Sequence, residues 1–148
     1  MKISFKGDYA LKTLLELAVQ EGKLASISDI SKRRDIPFKY LEQIMIVLKG
    51  AGYVTSKRGP TGGYLLSKPA KNIKLGEIIR LMEGPTSPIT CVSTSCYTRC
   101  SDEKNCPFRE TWFQVKNAIN NIVDRTTIED IAKKERLITK KEATNYEI

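Results

Sequence analysis

The run Asp35-Ile36-Pro37-Phe38-Lys39-Tyr40-Leu41-Glu42-Gln43-Ile44-Met45-Ile46-Val47-Leu48 decides the fold of this chain. Pro37 disfavours helical backbone at the residue before it and fits a first helical position, so one helix has ended by residue 35 and another starts at about residue 37. Leu41, Ile44, Met45 and Leu48 then recur at helical spacing and form a stripe that must face a core. Lys39, Tyr40, Glu42, Gln43, Ile46 and Lys49 are left on the other faces, an outer surface able to form many hydrogen bonds.

Working outward toward the N-terminus, Leu11, Leu14, Leu15 and Ala18 predict an amphipathic first helix over about residues 8–21. Ser28 offers an N-cap for a short second helix through about residue 34, with Ile27 before the cap and Ile30 inside. On the C-terminal side, Gly50-Ala51-Gly52 ends the third helix. Residues 53–57 and 64–67 read as two short strands around Arg58-Gly59-Pro60-Thr61-Gly62-Gly63, whose glycines permit positive φ and close backbone approach. Residues 1–70 therefore read as a winged helix-turn-helix. Leu75, Ile78, Ile79 and Met82 predict a fourth helix from about residue 74, stopped by Glu83-Gly84-Pro85. Residues 84–106 have no periodicity and read as a loop. Beyond it Phe108, Trp112, Val115, Ile119 and Ile122 alternate steps of four and three, a helix with a continuous apolar seam. A short last helix is expected after Thr127, and residues 136–148 read as a flexible tail, poorly ordered from about residue 140.

A chain of 148 residues supports one domain, or a small domain with an extension that pairs with a second copy. Its formal charge of +8 suits a polyanionic partner, and the excess is uneven. Residues 1–70 carry 12 Lys or Arg against 6 Asp or Glu, whereas residues 71–148 carry 13 against 11, so the first half is the polyanion-facing one. There is no histidine, which excludes histidine catalysis and histidine metal ligation. The N-terminus lacks the apolar run of a signal peptide and no stretch is apolar enough to span a bilayer, so a cytoplasmic protein with no membrane role is expected.

In a helix-turn-helix the second helix of the pair lies in the major groove, braced from behind by the first. Lys39 and Tyr40 are placed to reach phosphate, Glu42 and Gln43 to test base edges, and Arg58 to enter a narrow minor groove from the wing tip. The second feature is a set of four cysteines, Cys91, Cys96, Cys100 and Cys106, separated by four, three and five residues. In a reducing compartment such a group is more often a metal or redox site than a pair of disulfides. Zinc ribbons use close cysteine pairs, which are missing here, and the irregular single-loop spacing fits an iron–sulfur cluster better. Metal-free redox thiols, zinc and inert cysteines are the other readings. The cysteine spacing also lacks the usual thiol oxidoreductase pair, so an enzyme is not expected.

The motifs from Ile36 to Ile44, Ala51-Gly52-Tyr53-Val54 and Arg58-Gly59-Pro60-Thr61-Gly62-Gly63-Tyr64-Leu65-Leu66 together resemble the winged helix of the Rrf-two family of bacterial regulators, to which IscR, NsrR, RirA and CymR belong. The resemblance covers about residues 1–130. It implies a mainly α fold with a small β-wing, and a homodimer that binds partly palindromic promoter DNA. Residues 71–135 then hold the cysteine loop and a long dimerisation helix, with Phe108, Trp112, Val115, Ile119 and Ile122 as its seam. Lys39, Tyr40, Glu42, Gln43 and the wing tip Arg58-Gly59-Pro60 match positions that approach DNA. Pro37 stands where a small polar residue often caps the reading helix. In cluster-binding members three cysteines of this loop hold the cluster, and Cys96, Cys100 and Cys106 match them. The implied cofactor is thus a 2Fe-2S cluster. Arg109 occupies the place of a ligating histidine in some members and cannot ligate, which leaves Cys91, or Asp8 from the partner chain, as the fourth ligand. The family implies a regulator that senses cluster, redox or nitric oxide status by organising residues 91–106 and so setting the spacing of two reading heads. Its alternative is CymR-like control by a partner protein or metabolite without a cluster.

Overall fold

The structure, a computed structural model, describes residues 2–145. Its elements are α1 (Phe5–Val19), α2 (Ile27–Arg34), α3 (Phe38–Gly50), β1 (Val54–Lys57), β2 (Gly63–Leu66), α4 (Leu75–Glu83), α5 (Arg109–Val123) and α6 (Ile128–Asn145), with 3-10 turns at Ala70–Asn72 and Thr90–Val92. This is the expected mainly helical fold with a two-stranded wing. Among the described residues no helix is long and apolar enough to cross a membrane.

Helix α1 starts three residues before the predicted point, because Ser4 caps it by accepting from the Gly7 N–H. The Ser4 hydroxyl and N–H both donate to Glu83, at 2.7 and 3.0 Å, which ties the start of α1 to the end of α4. Its buried stripe is Ala10, Leu14 and Leu17, while Leu11 and Leu15 are half-buried, so the helix is rotated from the predicted face toward Leu17. The cap of α2 is Ser26 and not the expected Ser28. The Ser26 hydroxyl accepts from the Asp29 N–H at 3.0 Å and donates to the Asp29 carboxylate at 2.7 Å, a reciprocal box that Ser28 cannot form from inside the helix. Ile27 is accordingly the first helical residue.

The turn into α3 is made by Asp35 in the left-handed region (φ 51°), and Ser31 closes it by donating to the Ile36 carbonyl at 2.6 Å. Leu41, Ile44, Met45 and Leu48 are buried as predicted, against α1 and the rest of the core. Strands β1 and β2 pair antiparallel, Val54 opposite Leu66 and Lys57 opposite Gly63. The wing is also stitched to the chain before α2: Ala25 and Tyr64 exchange two backbone hydrogen bonds, 3.0 and 2.8 Å. That approach requires glycine, since a Cβ on Gly63 would lie 2.8 Å from the Ala25 carbonyl oxygen. Gly62 is under a similar constraint, since a Cβ there would collide with the Lys57 carbonyl oxygen.

The expected short last helix and disordered tail need correction. Helix α6 spans 18 residues and continues through residue 145; residues 146–148 lie outside the described part. It packs on α1 with Ile128 and Ala132 buried. Its entry is fixed by the Leu75 N–H to the Thr126 carbonyl and the Ile128 N–H to the Ile73 carbonyl, both 2.9 Å. Helix α6 is ion-paired to other elements where it enters the expected tail: Glu135 pairs with Arg34 of α2, and Arg136, the first residue of that tail, with Glu21 after α1.

Glu16, only 4 % exposed, is the charged centre of this packing. It accepts from Arg33 at 3.0 Å, Arg34 at 2.7 Å and Gln20 at 2.8 Å. Burial pushes its pKa upward, but the hydrogen bonds from Arg33, Gln20 and Arg34 prevail and hold the carboxyl below its ordinary value. Glu16→Ala removes the buried acceptor shared by Arg33, Arg34 and Gln20, although Arg34 keeps Glu135, and is expected to cost about 2 kcal/mol in urea unfolding, whereas Glu129→Ala, which breaks the exposed pair with Lys133, should cost at most about 0.5 kcal/mol. A folded-state pKa below the unfolded value gives stability that is complete above the unfolded carboxylate pKa and lost as pH falls through the folded one. The acid limb of the wild-type stability curve should therefore flatten in Glu16→Gln.

Candidate functional site

Helix α3 presents Phe38, Lys39, Tyr40, Glu42, Gln43 and Ile46 to solvent, all exposed. Their exposure follows from the stripe opposite, since burying Leu41, Ile44, Met45 and Leu48 fixes the rotation of the helix. Lys39, Glu42, Gln43 and Arg58 make no hydrogen bond or ion pair within the described residues, so their polar groups are open to a ligand. Tyr40 is braced edge-on by Tyr9 of α1, ring centroids 6.0 Å apart, and Phe5 stands beside Tyr9 at 5.9 Å. Pro37 sits at the N-cap rather than the first helical position and supplies no side-chain cap. The first-turn N–H groups of α3 thus have no internal acceptor from the cap, which is the arrangement that receives phosphate oxygens.

The wing tip Arg58, Gly59 and Pro60 is exposed, and Gly59 adopts φ 118°. Lys49, which sequence reasoning left as a surface residue, holds the wing to the helix by donating to the Ser56 hydroxyl at 2.6 Å. Its signal was its place one turn past Ile46 on the exposed face. Asp8 is half-exposed at the start of α1 and pairs with Lys12 at 2.7 Å.

The four cysteines occupy different surroundings. Cys91 is buried in the Thr90–Val92 turn, which packs on α5. Cys96 and Cys100 are exposed and Cys106 is intermediate. Cys100 and Cys106 line one cavity, together with Tyr97, Glu103 and Arg109, and neither Cys91 nor Cys96 joins them there. Glu103 anchors the loop: it accepts from the Tyr97 hydroxyl at 2.6 Å and from Arg109 at 2.9 Å. The Tyr97 hydrogen bond and the charge of Arg109 hold the Glu103 carboxyl below its usual range, and the same bond raises the Tyr97 phenol. Arg109 is thereby turned onto Glu103. Four thiols without histidine form a donor set whose chemistry suits an iron–sulfur cluster. Their arrangement in this conformation does not hold one, since among the described residues no three Cys, Asp or Glu side chains gather as a metal-ion site.

Phe108, which precedes α5, and Val115 and Ile122 on it are exposed, and Trp112 and Ile119 are half-buried, so the seam expected for dimerisation is an uncovered apolar face of the protomer. The neighbouring face, about a quarter turn round the helix, turns Lys116, Asn120 and Val123 inward.

A family model described as an iron-dependent transcriptional regulator, Rrf2, matches residues 3–134. The transcriptional regulator CymR of Bacillus subtilis is 38 % identical over 133 residues, covering 89 % of this chain and 90 % of that protein. The regulator IscR of Cereibacter sphaeroides is 44 % identical over 86 residues, 56 % of each chain. Among solved structures, CymR, described as the global cysteine regulator of B. subtilis, superposes with a TM-score of 0.78 at 37 % identity, covering 90 % of this chain and 97 % of that one. IscR of T. potens gives 0.71 at 34 % identity, covering 91 % and 88 %. These relatives are transcriptional regulators, not enzymes, and they carry the same winged helix; the chain belongs to the Rrf2 family of transcriptional regulators.

Proposed function

We propose that this protein acts as a homodimer on partly palindromic promoter DNA in the cytoplasm, with the cysteine loop 91–106 as its sensing element and a 2Fe-2S cluster as what that loop takes up. The observation that carries the DNA reading is the outer face of α3. Lys39, Tyr40, Glu42 and Gln43 project from a helix whose rotation the core fixes, next to a wing that carries Arg58, and none of the four charged or amide groups is spent on an internal partner. In this reading Lys39, Tyr40 and the first-turn N–H groups of α3 take phosphates, and Glu42 and Gln43 read bases. Arg58, with Gly59 and Pro60 shaping the tip, enters the minor groove. The exposed seam from Phe108 to Ile122 meets its copy and sets the spacing of the two reading heads.

Cys96, Cys100 and Cys106 are the thiols we assign to the cluster, with Cys91 or the partner's Asp8 as fourth ligand. When bound, such a group supplies sensitivity to oxidants and nitric oxide. Gathering the thiols requires residues 91–106 to rearrange. Recruiting Cys91 in particular unseats the Thr90–Val92 turn from α5, and recruiting Asp8 releases Lys12. Loop state and dimer-helix position are thereby coupled. A CymR-like reading, in which a protein or metabolite controls the dimer without a cluster, is favoured by two observations: the identity to CymR runs along nearly the whole chain, and the thiols do not converge here.

Anaerobic purification with iron and sulfide analysis separates the two. A coloured protein with iron and acid-labile sulfide, lost in Cys100→Ser and Cys106→Ser, is the expected result; iron-free protein that binds its operator equally with all four thiols replaced by serine sustains the CymR-like reading. Cys91→Ala and Asp8→Ala, compared for iron retention, then assign the fourth ligand. For the DNA face, Gln43→Ala should weaken operator binding by about 1–3 kcal/mol and relax specificity at one base position. Lys39→Ala should instead weaken all sequences alike and reduce the salt slope of log K by about 1 in fluorescence-anisotropy titrations.

A further inference from the structure

A second cavity, of about 280 Å³, lies between α4, the segment 85–95 and the inward face of α5. Its wall carries hydroxyls, one amide and three charged groups, and one of these charges has no counterpart. Arg80 and Asp124 pair with each other across the cavity edge. Lys116 is 5 % exposed, and its ammonium rests 4.2 Å from the Phe113 ring centroid. Among the described residues no carboxylate, carbonyl or hydroxyl hydrogen-bonds it, and because no fully buried polar atom of those residues lacks a partner, its tip opens into the cavity. A cation that opens into a small cavity with no ion pair of its own favours an anionic ligand, and the cation–π contact supplies only part of the missing compensation.

Donors stand around the same space. The Asn120 carbonyl oxygen accepts from the Thr86 hydroxyl at 2.6 Å, which leaves the amide N–H groups without a partner among the described residues. The buried Ser93 hydroxyl accepts from the Cys96 N–H at 3.0 Å, so its own proton is available to an acceptor in the cavity. An ammonium, an amide and a hydroxyl bordering one small cavity are the recognition set of an oxyanion. The volume lies at the small end of small-molecule sites, roughly 300–1,000 Å³, which admits a few heavy atoms and excludes a nucleotide.

We propose that this cavity binds a small oxyanion, a phosphate group or the carboxylate of a small metabolite, with Lys116 as its charge partner and Asn120 and Ser93 as hydrogen-bond donors. The site stands on its own geometry, whether or not the thiols take a cluster. It also places the ligand one hydrogen bond from Cys96 and directly against α5, about a quarter turn round the helix from the apolar seam.

The test uses full-length protein purified without oxygen in a chloride buffer free of phosphate and carboxylates. Inorganic phosphate and lactate are titrated separately by calorimetry and by thermal melting. Saturable binding of at least one probe, one per protomer, with a melting temperature that climbs with its concentration, is expected. Binding of phosphate alone points to a phosphorylated ligand and binding of lactate alone to a carboxylic acid. Lys116→Met keeps the length of the side chain and removes the uncompensated charge. It should melt no lower than the unliganded wild type and bind at least about tenfold more weakly. Should that variant fail to fold, Asn120→Ala and Ser93→Ala leave the cation in place and should each weaken binding by about tenfold. The proposal is overturned if neither probe binds saturably at millimolar concentration, or if the folded variants bind as the wild type does.

Discussion

Helix α1 is held on one side by apolar contact and on another by a buried carboxylate, and the placement of the reading head follows from that double grip. Ala10, Leu14 and Leu17 pack into a core shared with α3, where each large aliphatic side chain removed from water contributes about 1.5–3 kcal/mol. Hydrophobic contact is non-directional and leaves α1 able to roll. Glu16 removes that freedom, because its two oxygens are bonded to Arg33 and Arg34 at the end of α2 and to Gln20 one turn along. The end of α2 is where the chain turns through Asp35 into α3. An orientation fixed at Glu16 is therefore passed, through a turn of three residues, to the helix whose outer face carries Lys39, Tyr40 and Gln43.

The fold was legible where a local rule had a single outcome. Pro37 and the stripe from Leu41 to Leu48 define α3 without help from the rest of the chain, and Gly62 and Gly63 mark a wing whose backbone passes too close to Lys57 and Ala25 for a Cβ. The Ser26 cap was legible too, since Ser-Ile-Ser-Asp offers Asp29 at the position that completes a reciprocal box with Ser26, whereas Ser28 has no such partner. What local reading could not supply was long-range charge pairing. Nothing in the sequence marks Glu16 or Glu135 as partners of one arginine, yet both meet Arg34, one from eighteen residues away in sequence and the other from 101. The cysteine spacing likewise announced a thiol group without revealing that Cys91 is buried against α5 while Cys96 and Cys100 face solvent. Lys116 gave no signal at all, because a lysine in a polar stretch looks exposed until α4 and the loop close over it.

Helix α5 divides its labour between two faces. The outer one, with Val115 and Ile122 exposed, is apolar enough to demand a cover, while the inner one turns Lys116 and Asn120 toward the protomer's own loop. The two faces are rigidly related, since a helix cannot rotate one without the other. In the proposed dimer, any event that reseats the inner face, whether a thiol leaving its turn or an anion entering the polar cavity, rotates the outer face against its partner.

That rotation has a defined route to the DNA face. The end of α5 is fixed to α4 by Asp124 and Arg80, and the connection beyond it pairs its backbone with residues 73–75. Helix α4 is tied to the start of α1 through Glu83 and Ser4, and α6 returns to the reading head through Glu135 and Arg34. Two independent tethers leave little slack between the loop and α3 within one protomer. In the proposed dimer the adjustable quantity is then the angle between two protomers at the α5 seam. Half-site spacing on a duplex is sensitive to such an angle because the two reading helices must fall about one helical turn apart, roughly 34–36 Å. A cluster-sensing regulator and a partner-controlled one can therefore share this architecture, since either signal needs only to bias the same seam.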